Sequence, residues 1–85
     1  MKENKNVVGK IVRHYKGNYY YIVNVGKDSD DLSQVVIYKA LYNDDIWVRS
    51  YNEFFEEIDK DIKGNITHQV HRFEIVEDLH VDYRK

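Results

Sequence analysis

Apolar residues in this chain fall mostly in short runs that alternate or nearly alternate with polar ones, the spacing of β-strands. Val7 to Tyr15 reads as a first strand and Tyr19 to Val25 as its return. Gly17-Asn18 between them suits a tight hairpin, because glycine accepts positive φ. In period two, Tyr19, Tyr21, Val23 and Val25 share one face, and Tyr20, Ile22 and Asn24 share the other. Both faces are partly apolar, as expected of a strand curled into a closed or nearly closed roll. Gly26 to Ser33 is a polar loop, Gln34 to Tyr42 a third strand, Asn43-Asp44-Asp45 a turn and Ile46 to Arg49 a fourth strand. The period then changes. Tyr51, Phe54, Phe55 and Ile58 lie at i, i+3, i+4 and i+7, and Ser50 precedes Glu53 by the capping-box spacing. This predicts a short helix of about two turns over 51–58, plugging one end of the strand roll. A loop over Asp59 to Asn65, a last strand over Thr67 to Val76 and a charged tail from Glu77 to Lys85, expected to fray, complete the chain.

The order of elements predicts a mainly β fold: a small SH3-like barrel or roll of about five strands with one short helix near residues 51–58. The length of 85 residues fits one domain, with a structured core over about residues 7–76. Hydrophobic residues make up 42% of the chain, enough to pack a core, and eight tyrosines favour half-buried pleated surfaces. A chain this short walls off no deep substrate chamber, which weighs against an enzyme. Cysteine is absent, so no disulfide and no thiolate metal site forms, in keeping with a reducing cytoplasm. The polar start Met1 to Asn6 leads into no long apolar run, so neither a signal peptide nor a membrane span is expected.

Charge is unevenly spread. Residues 1–27 carry six Lys/Arg against Glu3 alone, a net +5; the remainder carries seven against fourteen Asp/Glu, a net −7. Such asymmetry marks either a nucleic-acid face or a dipole neutralised by packing basic strands beside acidic ones, and the overall acidity favours the second.

Arg13, His14, Tyr15, Lys16, Trp47 and Arg49 form the candidate binding patch. Hairpin ends of small barrels carry ligand contacts, and arginine beside Trp or Tyr stacks on bases or holds acidic peptides. The competing reading makes Trp47 a core residue and pairs Arg49 with a helix glutamate. For His14, neighbouring positive charge lowers the pKa, and no catalytic partner stands at a matching spacing, so no catalytic residue is assigned. His68 and His71 are three apart, which on a strand sends them to opposite sides, so no metal site is assigned either. Asp28, Asp30 and Asp31 lack the calcium-loop pattern, since Leu32 and Ser33 stand where an oxygen ligand and a glycine are needed. No cofactor is expected.

Several local patterns together resemble a known family. They are Arg13-His14-Tyr15-Lys16-Gly17-Asn18, Val36-Ile37-Tyr38-Lys39-Ala40-Leu41-Tyr42, Trp47-Val48-Arg49, Phe54 and Arg72-Phe73. From about Gly9 to Val76 the chain resembles the small bacterial family called Domain of Unknown Function 1653. The resemblance implies an SH3-type β-roll and carries no established activity. The chain departs from the family pattern at Ser50 and His71, where proline is usual, at Asn43-Asp44-Asp45, where glycine is usual, and in the Asp28–Asp31 loop. The leading expectation is a non-enzymatic interaction or accessory module with a protein partner, monomeric or weakly dimeric and cytoplasmic. The alternatives are nucleic-acid binding through the basic first hairpin, a small-ligand binder or enzyme using His14 or Tyr20, and self-pairing through an exposed strand edge.

Overall fold

The computed structural model describes residues 6–76. Five strands form one antiparallel sheet: β1 (Ile11–His14), β2 (Tyr19–Lys27), β3 (Gln34–Ala40), β4 (Ile46–Ser50) and β5 (Phe73–Ile75). Their spatial order is β4-β3-β2-β1-β5, and the helix α1 (Tyr51–Phe54) lies between β4 and β5 in the chain. The expected mainly β architecture is present. The expectation for residues 77–85 lies outside the described residues. Among those described, no helix is long and apolar enough to cross a membrane.

The sheet is strongly curled. β3 and β5 are separated by two strands, which in a flat sheet would hold them about 14 Å apart. Yet the rings of Tyr38 on β3 and Phe73 on β5 have centroids 5.3 Å apart. Curling gathers Val12, Ile22, Val25, Val36, Tyr38, Phe54 and Phe73 into one core on the concave face. Phe54 of α1 stacks on Phe73 at 3.9 Å and closes one end, the plugging role expected of the helix.

A bulge in β2 explains why both faces of that strand read as apolar. The pairing with β3 steps from Ile22–Tyr38 directly to Asn24–Ile37, leaving Val23 as the extra residue. Tyr20 and Ile22 face the core before the bulge, Val25 faces it afterwards, and Val23 is exposed. Strict period two had grouped Val25 with Val23; the extra residue reverses the phase.

Both hairpins differ from their expected turns. His14 N–H donates to the Asn18 carbonyl, so the first loop is the three residues Tyr15 to Gly17, one longer than expected. Gly17 has φ +112°, and a Cβ there would lie 2.8 Å from Ile66 Cδ1. In the second hairpin Ala40 N–H donates to the Asp45 carbonyl across a loop that begins at Leu41, with Asp44 at φ +65°. β3 therefore ends at Ala40, two residues before the expected Tyr42. β1 is also shorter than Val7–Tyr15, because the chain from Asn6 to Gly9 turns, with Lys10 N–H donating to the Val7 carbonyl.

The helix is one turn, not about two. Its start follows expectation, with Ser50 Oγ accepting the Glu53 N–H at 3.1 Å. It ends at Phe54, with Phe55 as its cap, because the next residues pair with the chain approaching β5. Arg72 N–H donates to the Glu56 carbonyl, Ile58 N–H donates to the Val70 carbonyl, and Glu57 bridges His71. The Arg72 guanidinium and Glu56 carboxylate seal this pairing. A tertiary partner for the backbone here outweighs local helical periodicity.

The last strand is three residues, Phe73 to Ile75, where Thr67 to Val76 was expected. Before it the chain forms an ordered loop around two buried amides. Asn65 Nδ2 donates to the carbonyls of Asp59 and Gln69, and its Oδ1 accepts the Gln69 N–H. Gln69 Nε2 donates to the carbonyls of Arg13 and His71, tying the loop to β1. Polar side chains replace the strand ladder as partners for this backbone. His68, at φ +57°, sits in this loop and not on a strand.

An aromatic cavity closed by one arginine

Where the curled sheet leaves a gap between β4 and β5, a cavity of about 150 Å³ opens. Its walls are His14, Tyr20, Tyr38, Trp47, Arg49 and Phe73. Strand alternation decides which residues reach it. On β4, Trp47 pairs with Tyr38 and Arg49 with Val36, so these two project to the concave face. Ile46 and Val48 pair with Lys39 and Ile37 and project to the convex face. On β1, His14 pairs with Phe73 and shares the concave face, whereas Arg13 alternates to the other side.

Trp47 is 48% exposed, a rim residue and not a buried one. Arg49 Nε approaches the Tyr38 hydroxyl at 3.5 Å, and its guanidinium lies 4.0 Å from the Glu53 carboxylate, the helix glutamate pairing weighed from the sequence. The His14 ring stacks on Tyr15 at 4.4 Å and meets Phe73 edge-on at 4.8 Å. Its Nδ1 accepts the Lys16 N–H, which leaves the proton of the neutral ring on Nε2. Burial lowers its pKa, and the charges of Arg72, Lys16 and Arg49 lower it further, to about 4. The direction is the one expected from neighbouring charge, but burial is the larger cause. Burial also raises the Tyr20 pKa, helped by its hydrogen bond with Tyr42.

The six residues singled out in the sequence therefore separate. His14, Trp47 and Arg49 meet at the cavity. Tyr15 backs it through its stack on His14 and lies beneath the Arg72 guanidinium, 6.0 Å from the ring centre. Lys16 is exposed on the hairpin tip, its ammonium 5.9 Å from the Tyr15 ring. Arg13 stands apart, over the Tyr19 ring at 5.2 Å with its Nε donating to the Gly17 carbonyl. Tyr38 and Phe73 were missed as cavity walls. The placement of Tyr38 opposite Trp47 follows from the hairpin register, and a turn starting at Leu41 is the signal that would have found it.

Chemically, the six lining residues include no carboxylate, thiol or aliphatic hydroxyl. They offer π faces, two phenols, a neutral imidazole and one guanidinium, groups that stack on, hydrogen-bond or pair with a bound group.

No curated protein and no solved structure matches the chain. A family model described as protein of unknown function (DUF1653) matches residues 10–75, which span the whole sheet from Ile11 to Ile75. The segments that carried the resemblance, from Arg13 in β1 to Phe73 in β5, all fall within that match, and the chain belongs to the DUF1653 family.

Proposed function

We propose that this protein is a non-enzymatic recognition module that holds a carboxylate of a protein partner in the aromatic cavity, against Arg49. One observation carries the reading: the single charged wall of the cavity is a guanidinium, and Arg72 and Lys16 add positive charge beside a His14 that burial already holds neutral. At about 150 Å³ the cavity is smaller than the several-hundred-Å³ clefts that take small-molecule substrates, and it suits one anchoring side chain. Trp47 and Arg49 are the residue types that dominate interaction hot spots. The SH3-like order of elements agrees with an interaction module.

The test uses a blocked peptide alternating valine and glutamate, and the same peptide with glutamine for glutamate. Trp47, the sole tryptophan, reports binding by fluorescence, and NMR follows the His14 ring proton through a pH titration. The glutamate peptide is expected to bind saturably and to raise the His14 pKa from about 4, because a bound carboxylate offsets the nearby cations. Equal affinity for the glutamine peptide would overturn the reading. So would a single-stranded oligonucleotide that binds more tightly with steep salt dependence, which would move the site to nucleic acid.

A further inference from the structure

We infer that the acidic partner binds as an extended segment added to the outer edge of β4; this rests on the proposed carboxylate site and specifies how it is reached. Among the described residues β4 pairs with β3 alone, so its other side presents a row of backbone donors and acceptors. The sequence of this edge, Ile46-Trp47-Val48-Arg49-Ser50, carries no proline or lysine to block pairing. Three consecutive apolar residues on it are exposed, Ile46 at 57%, Trp47 at 48% and Val48 at 62%. Adjacent exposed residues on one strand lie on opposite faces, so a ligand on either face alone would cover only some of them. A strand laid alongside β4 covers all three, because its own side chains alternate in the same way.

Register then dictates the ligand. A side chain beside Trp47 and Arg49 enters the concave cavity, and its neighbours in sequence lie against Ile46 and Val48 on the convex face. The matching pattern is apolar–acidic–apolar over about five residues, the length of β4 at roughly 3.4 Å per residue. Charge selects this occupant over a second copy of the chain. Antiparallel self-pairing along the whole of β4 sets each Arg49 opposite the other copy's Trp47 and puts both guanidiniums on the same concave face, so it adds positive charge there and supplies no carboxylate. An acidic residue at that position neutralises Arg49.

The test uses the alternating valine–glutamate peptide in two backbone-methylated forms. In one, N-methyl groups replace the amide hydrogens that face β4; in the other, they replace those facing away. Loss of two inter-strand hydrogen bonds is expected to weaken the first form about tenfold or more, while the second binds as the parent does. Amide protons of Ile46 to Ser50 are expected to gain hydrogen-exchange protection on binding. If both methylated forms bind as tightly as the parent, strand addition is overturned while the carboxylate site stands. If the parent itself fails to bind, the carboxylate site is overturned and strand addition with it. Shifts of the β4 amides that grow with protein concentration in the absence of peptide would assign the edge to a second copy and overturn the inference.

Discussion

Replacing Trp47 with alanine separates a rim platform from a core residue. Truncating a fully buried Phe or Trp costs about 3–5 kcal/mol, through lost transfer energy and the cavity left behind. Trp47 keeps 48% of its surface exposed, so roughly half of that burial term is at stake, about 2 kcal/mol. The space that Trp47→Ala leaves opens to solvent, which keeps the void contribution small. Phe73, 2% exposed and in contact with His14, Tyr20, Tyr38 and Phe54, is the internal control, with an expected cost of about 3–5 kcal/mol for Phe73→Ala. A domain of this size has on the order of 5–10 kcal/mol of stability in total, so Trp47→Ala stays folded whereas Phe73→Ala approaches the limit. Urea unfolding followed by far-UV circular dichroism measures both, since the variant lacks the only indole. The valine–glutamate peptide is then titrated by NMR, and Trp47→Ala is expected to weaken it at least tenfold. A loss of stability near that of Phe73→Ala would refute the geometric argument and return Trp47 to the core. A folded variant with undiminished peptide affinity would refute the platform.

Two further perturbations test the fold beneath the site. His14 has its folded pKa lowered to about 4 from the ordinary 6.5, so below neutrality the unfolded chain takes up a proton that the native state refuses. The stabilisation is complete above about pH 6.5 and is lost as pH falls toward 4; because the ring is half-exposed, the loss is discounted to about 1–2 kcal/mol. Urea midpoints across that window are expected to fall for the native protein and to fall less for His14→Gln; parallel pH profiles would refute the assignment. Asn65→Ala removes the acceptor of the buried Gln69 N–H and two donors to backbone carbonyls. It is expected to cost about 2–4 kcal/mol and to speed amide exchange in the 59–69 loop, and a cost under about 1 kcal/mol would show that water replaces the side chain.

The strands and their order were legible because each β element carries its own short-range pattern. Tyr19–Val25, Gln34–Tyr42 and Ile46–Arg49 needed no distant information to be read as strands, although the structure ends the second of these at Ala40. The helix start was equally local, since Ser50 and Glu53 are three residues apart and their hydrogen bond lies within that span. What failed depended on partners far along the chain. The second helical turn lost to pairing of Glu56 and Ile58 with Arg72 and Val70. The expected strand from Thr67 was replaced by a loop whose polar groups are satisfied by Asn65 and Gln69 side chains, and nothing in a short window of sequence marks those two amides as buried. The Val23 bulge hid in the same way, since an extra residue is defined only against the opposite strand. For the cavity, His14, Trp47 and Arg49 were identifiable by type and by their place at strand ends. Tyr38 and Phe73 were not, because their membership depends on hairpin register and on the curl that brings β5 toward β3.

An aromatic cavity by itself is ambiguous, since rings of this kind hold cations as readily as they stack on planar anions. The surrounding charges weigh on the side of the anion that the proposed function requires. A cation over a tryptophan face gains about 0.5–2 kcal/mol. A unit charge about 6 Å from a guanidinium, at an effective dielectric constant near 20, meets about 3 kcal/mol of repulsion. With Arg49 in the wall and Arg72 and Lys16 acting on His14, repulsion exceeds the cation–π gain, and the same sum favours an anion. Outside the cavity's lining, one carboxylate of the protein already approaches Arg49. Glu53 reaches Arg49 from the first turn of α1 at 4.0 Å, the outer limit of ion-pair contact, with its side chain 64% exposed. An exposed pair at that distance contributes little stability, so an incoming carboxylate that also contacts Trp47 displaces Glu53 at small cost. On the proposed function, Glu53 is an internal stand-in beside the guanidinium whose place a partner carboxylate takes.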